Sequence, residues 1–417
     1  MKNNKTSLFT KVFLTFALVF ALTLAGGIQS KAATKPSPIT DLKQTEASDT
    51  SVEVSWSCLG NNIRFKVEIS AQPSGNWTVV NEDEYSSPSR IYNLAAGKEY
   101  YVRVTPYYED WETDIKTYGD TSAPIKVVTA PNTKTAKITH TKSTTNTIKI
   151  NWQAVPGADI YTIKYRPISG KEMTCKTTGT SITLKNLTKN SEYYIGVEAG
   201  KKYADGTNVA WSGTTASIYA AVKPTKVTGV AVTNYWQSLG EIYIDHKNFT
   251  NADGYQYQLY TAYKDKDTKV KSVTTKSSSG VFFKASALKK YNFYKIRVRA
   301  YTLNSKNEKM YGEWSSWKYT SPQPDITKAK SVKSKKGIEI SWDKVKGANR
   351  YVVYVSTKKN SGYKKFATTS KTKTVITKYG KNKLKKGKTY YYYVVAQKKV
   401  NNKYQSGDDS YYYYKKY

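Results

Sequence analysis

Cysteine, histidine and acidic side chains are scarce in this chain. Among 417 residues there are two cysteines, Cys58 and Cys175, and two histidines, His140 and His246. Residues so scattered offer no Cys/His cluster with metal spacing. The sequence also lacks a G-x-S-x-G elbow, a Gly-rich phosphate loop ending in Lys, and an H-E-x-x-H pair. These absences leave no catalytic constellation, and neither a metal nor a cofactor is expected. Asp245 precedes His246, but neighbouring strand residues face opposite sides, so the two are not expected to work as acid and base. A disulfide needs Cα atoms within ~7 Å, and Cys58 and Cys175 fall in different repeat units. Two unpaired thiols are expected, with the fold held by apolar burial. The carboxylates Glu82-Asp-Glu84, Glu109-Asp110, Glu112 and Asp114 lack the order of a calcium loop and read as a solvated acidic surface.

Long apolar runs are missing too, with one exception. Val12 to Leu24 is apolar, follows Lys2, Lys5 and Lys11, and precedes Ser30-Lys-Ala-Ala33. A basic start, a short apolar segment and a small-x-small site describe a secretory signal peptide over 1–32, cleaved after Ala32. The run is short for a membrane span, which needs about 20 residues.

What the chain has in plenty is tyrosine, 38 residues, and lysine. Four times a Leu is followed six residues later by a Tyr: Leu94 and Tyr100, Leu187 and Tyr193, Leu288 and Tyr294, Leu384 and Tyr390. The tyrosines are 93, 101 and 96 residues apart. A period near one hundred residues means four copies of one small domain. After each Tyr the apolar residues alternate, as in Tyr100-Tyr-Val-Arg-Val104, the mark of a half-buried strand. Upstream of each lies a second alternating strand ending in Trp56, Trp152, His246 or Trp342. No 3.6-residue apolar stripe persists within the copies. Each copy therefore reads as an all-β sandwich of short strands. Pro-containing junctions at 130–132, 223–224 and 322–324 place the copies at 33–131, 132–223, 224–323 and 324–417, each expected to unfold as a near-independent unit. The structural core is assigned to Trp56, Tyr100, Trp152, Tyr193, His246, Tyr294, Trp342 and Tyr390, with His246 standing in for Trp.

The early-strand Trp, the Leu-x5-Tyr corner and the Gly119-Asp-Thr-Ser122 and Gly312-Glu-Trp-Ser315 stretches resemble fibronectin type III domains. The fourth copy, with Trp342-Asp-Lys-Val-Lys-Gly-Ala and Leu384-Lys-Lys-Gly-Lys-Thr-Tyr390, resembles repeats of secreted Gram-positive bacterial surface proteins. The resemblance implies a tandem array of immunoglobulin-like β-sandwiches and says little about function. Trp314-Ser-Ser-Trp317 is similar to the W-S-x-W-S motif of cytokine-receptor fibronectin domains. Arg297 and Arg299 on the adjacent strand would stack with Trp314 and Trp317 in a cation–π ladder worth ~0.5–2 kcal/mol per contact. It is expected to cover one sheet, with a recognition surface as the alternative. Trp77, Tyr107, Tyr108, Trp111, Tyr235 and Trp236 fall in expected loops and are candidates for stacking on sugars.

Charge is graded along the chain. Net charge is −5 over 33–131, +8 over 132–223, +9 over 224–323 and +20 over 324–417, of a total of +36. Lys358, Lys359, Lys364, Lys365, Lys371, Lys373, Lys378, Lys381, Lys383, Lys385, Lys386 and Lys388 stand in a stretch with no acidic residue. Such a field draws polyanions, with steep salt dependence. Lys lacks the bidentate fork of Arg, so diffuse attraction is expected over base readout. The expected partners are anionic wall or extracellular polymers: teichoic acid, acidic glycan or extracellular DNA. The sequence shows no L-P-x-T-G signal, so charge is the expected route to the cell surface. The reading is a secreted, monomeric, non-enzymatic binding or spacer array. The alternatives are a glycan- or host-protein-binding adhesin and an accessory subunit of an extracellular hydrolase.

Overall fold

Alternation of side chains sets the strands and decides which face is buried. Val52, Val54 and Trp56 are buried, while Glu53 and Ser55 between them are half-exposed. The same pattern recurs at Ile148–Trp152, Ile242–Asp245 and Gly337–Trp342. The structure, a computed structural model, describes residues 34–417 except 235–239, 248, 250, 263–266, 278, 285, 290 and 410. The signal-peptide reading and the candidates Tyr235 and Trp236 lie outside the described residues. A single 3-10 turn, Thr133–Thr135, is the only helix among those described. None of their helices is long and apolar enough to cross a membrane.

The chain forms two compact units. The first holds residues up to Thr133, Val155–Ile160 and Glu198–Thr214; the second holds Lys134–Ala154, Tyr161–Val197 and Thr215–Tyr417. In the first unit, Thr40–Ala47, Val52–Ser57 and Ser89–Ile91 make a three-stranded antiparallel sheet with Val52–Ser57 central. Facing it, Thr78–Glu84, Arg64–Ser70, Glu99–Glu109 and Lys116–Tyr118 lie in that order, and Ile125–Val128 pairs with the first half of Glu99–Glu109. In the second unit the same plan recurs. Three-stranded sheets centre on Ile148–Trp152, Ile242–Asp245 and Gly337–Trp342, and five-stranded sheets are built on Tyr294–Leu303 and Thr389–Val400. A fourth five-stranded sheet runs along Glu192–Lys202. The architecture is all-β: repeated sandwiches of three strands against five.

Each Leu-x5-Tyr segment folds the same way. The Tyr hydroxyl accepts a hydrogen bond from the backbone N–H of the residue after the Leu. The distances are 2.9 Å from Ala95 to Tyr100, 2.8 Å from Thr188 to Tyr193, 2.5 Å from Lys289 to Tyr294 and 2.8 Å from Lys385 to Tyr390. A loop N–H that would otherwise need water is thereby satisfied by a side chain from the following strand.

Trp56, Trp152 and Trp342 pack edge-on against Phe65, Tyr161 and Tyr351 at 5.2, 5.3 and 5.5 Å between ring centroids. Their indole N–H groups are buried without a hydrogen-bond partner among the described residues. His246 takes the same place in the third copy, 4.2 Å from the Tyr255 ring. Unlike the indoles it is satisfied: its Nε2 lies 2.6 Å from the Tyr257 hydroxyl. The smaller ring thus replaces packing area with a hydrogen bond.

The third and fourth copies share buried apolar packing. Phe293 and Ala262, from the third, are buried in the same apolar cluster as Trp342, Tyr351, Tyr390 and Tyr392 of the fourth. Backbone bonds cross between them: Phe293 N–H to the Lys346 carbonyl at 3.0 Å and Lys346 N–H to the Tyr291 carbonyl at 2.7 Å.

Candidate anion-binding surface

All twelve lysines of the 358–388 stretch are exposed. Among the described residues none of them lies within ion-pair distance of a carboxylate. They do not converge on one face, because strand alternation and the turns divide them. Lys371 and Lys373 line a cleft of about 380 Å³ with Lys344, Ser370 and Tyr351. Lys359 lies over the Tyr412 ring at 5.9 Å, and its hydrogen bond to Tyr412 holds its pKa above the usual lysine value. Lys364 stands 5.2 Å from the centre of the Tyr379 ring. Lys358, Lys365, Lys385, Lys386 and Lys388 project from surface strands and turns.

Lys378, Lys381 and Lys383 come together on a short hairpin, Lys378–Tyr379 paired with Asn382–Lys383. Gly380 turns it with φ of 61°, a left-handed value that a glycine adopts without strain. The hairpin faces the turn after Ile326–Val332, where Lys335 and Lys336 stand. A Cβ at Gly337 would lie 2.5 Å from the Ile376 carbonyl oxygen, so the absence of a side chain there lets this turn close onto the neighbouring strand. The result is a cleft of about 450 Å³ lined by Lys335, Lys336, Thr377, Lys378, Lys381, Lys383, Leu384 and Tyr417. Five lysines line it, and no Asp or Glu does. Lys335 and Lys336 are additions to the sequence reading; the run Lys333-Ser-Lys-Lys336 was the available signal.

The first copy is the reverse. Most of its cations are engaged by its own carboxylates: Arg64 with Glu109, Arg90 with Glu46 and with Glu53 (2.9 Å), Arg103 with Glu68 (3.0 Å) and Lys116 with Asp83 (3.3 Å). Asp83 titrates below the usual range because the Tyr107 hydroxyl and Lys116 bond to it. Among the described residues no group of three or more His, Cys, Asp and Glu could hold a metal ion.

On the third copy Arg297 lies between Trp314 and Trp317, with Cζ 4.3 and 4.6 Å from the ring centroids. Arg299 lies between Trp314 at 4.4 Å and Tyr311 at 3.8 Å. Lys295 sits 4.2 Å from Trp317. Gln258 and Gln256 on the neighbouring strand accept from the two arginines at 2.9 and 2.8 Å. Charge, rings and amides form one continuous stack.

The loop aromatics separate. Trp77 is not a free ring: it stacks on Arg103 at 4.3 Å and covers the Arg103–Glu68 pair. Tyr107 is buried and bonds to the Glu82 carbonyl. Trp111 is free, at 84% exposure. Cys58 and Cys175 are unpaired thiols, with pKa values raised by burial.

Residues 130–214 match the Fibronectin type III domain family. The collagen alpha-1(XII) chain of Notophthalmus viridescens is 27% identical over 206 residues, covering 48% of this chain and 21% of the relative. The chain thus spans about a fifth of that relative's length. Among solved structures, the FN1-FN3 domains of chicken CNTN1 are 20% identical with a TM-score of 0.28, covering 69% of this chain and 98% of that one. A two-domain fibronectin type III segment of chicken tenascin is 19% identical with a TM-score of 0.26, covering 45% of this chain and all of that one. The fold is a tandem array of fibronectin type III-like β-sandwiches.

Proposed function

We propose that the protein is an extracellular, non-enzymatic binding and spacing array, exported by a cleaved signal peptide from a Gram-positive cell and held at the surface by its basic fourth sandwich. The supporting observation is the contrast in charge pairing: exposed lysines without an ion pair over 358–388 of the fourth copy, against cations mostly paired with carboxylates on the first. Unpaired surface charge contributes fully to the long-range field, whereas paired charge cancels within a few ångströms. Anionic polymers, such as teichoic acid, acidic glycan or released DNA, are the partners this field suits. The test is co-sedimentation of the full chain with purified cell walls. Binding should be strong at low salt and lost at ~0.5 M salt, where the Debye length is only a few ångströms. Salt-insensitive binding would overturn the electrostatic mechanism.

A second reading, adhesion to glycan or protein, draws on the first copy. The pairs Phe65 with Glu84, Arg64 with Tyr107 and Glu109 with Lys116 put three loops at one end of its sheet. Trp111, Tyr85 and Ile115 are exposed there beside Leu59 at 81%.

A further inference from the structure

We infer that the cleft between the Lys333–Lys336 turn and the 377–384 hairpin is a discrete binding site for a sugar or polyol unit bearing a phosphate or sulfate ester. The inference rests on the anionic-polymer reading above and gives it a location. The electrostatic case comes first. Lys335, Lys336, Lys378, Lys381 and Lys383 line one concavity with no Asp or Glu side chain among them. Like charges held together repel, and an entering anion relieves several of these repulsions at once. A tetrahedral ester group can accept from several ammonium groups that approach from different directions. Lysine's three rotatable donors suit that better than a fixed planar fork.

Shape decides the rest. The cleft, about 450 Å³, falls in the range of small-ligand sites. A nucleic-acid duplex presents its phosphates on a convex cylinder, so it could offer such a recess one phosphate at a time. An ester group projecting from a flexible glycan or polyol chain can enter it. The walls are not all polar: Leu384 and Tyr417 line the same space. An apolar wall beside a charged rim suits a sugar, which has an apolar C–H face and polar edges. The other lysine-lined cleft, with Lys344, Lys371 and Lys373, has three cations and a smaller volume of about 380 Å³.

The experiment compares two triple variants of the full chain that remove equal charge from exposed positions. One is Lys378→Gln, Lys381→Gln, Lys383→Gln in the cleft. The other is Lys358→Gln, Lys359→Gln, Lys365→Gln outside it. Three probes are titrated at low salt: a short glycerol-phosphate oligomer, a sulfated tetrasaccharide, and a single-stranded oligonucleotide of matched charge. We expect the cleft variant to lose at least tenfold in affinity for one or both of the first two probes, and the control variant less than threefold. The stronger of those two probes identifies phosphate or sulfate as the ester recognised. Equal losses in both variants would refute a discrete site while leaving the field-driven reading intact. No binding of any probe by the unaltered chain would sink both readings. Tighter, cleft-dependent binding of the oligonucleotide would overturn the assignment to a sugar or polyol.

Discussion

The repeated Tyr hydroxyl offers a graded test, because the same bond is made four times in different surroundings. Replacing each Tyr by Phe keeps the ring and removes the acceptor for one loop N–H. A buried N–H left unpaired costs ~1–3 kcal/mol, whereas an exposed one is rehydrated at little cost. Tyr193, Tyr294 and Tyr390 are buried and their bonds partly so, whereas the Ala95–Tyr100 bond is exposed. Tyr294 also donates to the Lys289 carbonyl at 3.1 Å, so its replacement removes two bonds. Tyr294→Phe should therefore cost most, on the order of 2–3 kcal/mol, and Tyr193→Phe and Tyr390→Phe about 1–2 kcal/mol. Tyr100→Phe should cost less than about 1 kcal/mol. A chain of coupled sandwiches has no single unfolding free energy, so native-state hydrogen exchange is the assay. Amides of each Tyr-bearing strand report their own sandwich. Equal losses at all four positions would refute the grading by burial, and no effect at Tyr193 and Tyr390 would show that ring packing rather than the hydrogen bond holds the corner.

Phe293→Ala should destabilise the fourth sandwich by ~3–5 kcal/mol, the usual cost of emptying a buried aromatic site, since Phe293 is 0% exposed within that core. Faster exchange in Gly337–Trp342 checks it, and an effect confined to the third sandwich would contradict it. His140 is 2% exposed and burial lowers its pKa to about 4. Unfolded, it takes up a proton near pH 6.5, so between pH 6.5 and about 4 the unfolded chain binds more protons and stability falls as pH falls. The loss attributable to this residue is at most about 3 kcal/mol. It should disappear in His140→Gln, read as the difference between the two proteins in native-state hydrogen-exchange protection of Ile148–Trp152 across that window.

Local periodicity was enough to read the fold. The alternation around Trp56 and the fixed Leu-to-Tyr spacing are short-range signals, and each maps onto a strand or corner where the spacing put it. Charge was legible as an amount but not as a placement. Lys371 and Lys381 are ten residues apart in sequence and line different clefts, while Lys335 and Lys383 are far apart and line the same one. Sheet pairing between Gly337–Trp342 and Lys373–Ile376 brings the latter two near, and no sequence window spans it. Trp77 read as a loop ring because its partner Arg103 lies on a distant strand. Phe293 has the parity of an outward residue beside inward Tyr294, and it is outward; what lies outside is the next sandwich.

The corner that satisfies the Tyr hydroxyl also makes the junctions. Three residues after each Leu the backbone is left-handed: Gly97 at φ 67°, Asn190 at 55°, Tyr291 at 57° and Gly387 at 82°. The first three meet the loop that follows the core Trp or His of the next copy. Within the first unit Gly97 and Gly157 touch through their backbones, and a Cβ on Gly157 would lie 2.1 Å from the Gly97 carbonyl oxygen. Within the second unit the Asn190 carbonyl accepts from the Asn251 amide at 3.2 Å, and the Tyr291 carbonyl accepts from the Lys346 N–H at 2.7 Å. A left-handed tyrosine costs roughly 1–2 kcal/mol. Tyr291 is held there by its hydroxyl's 2.6 Å bond to Asp325 and by packing on the fourth core. One backbone geometry thus serves three junctions with different side-chain chemistry. Pro-containing linkers mark where one copy ends and the next begins, but contacts between copies also run through these corners, which a reading of the linkers alone does not show.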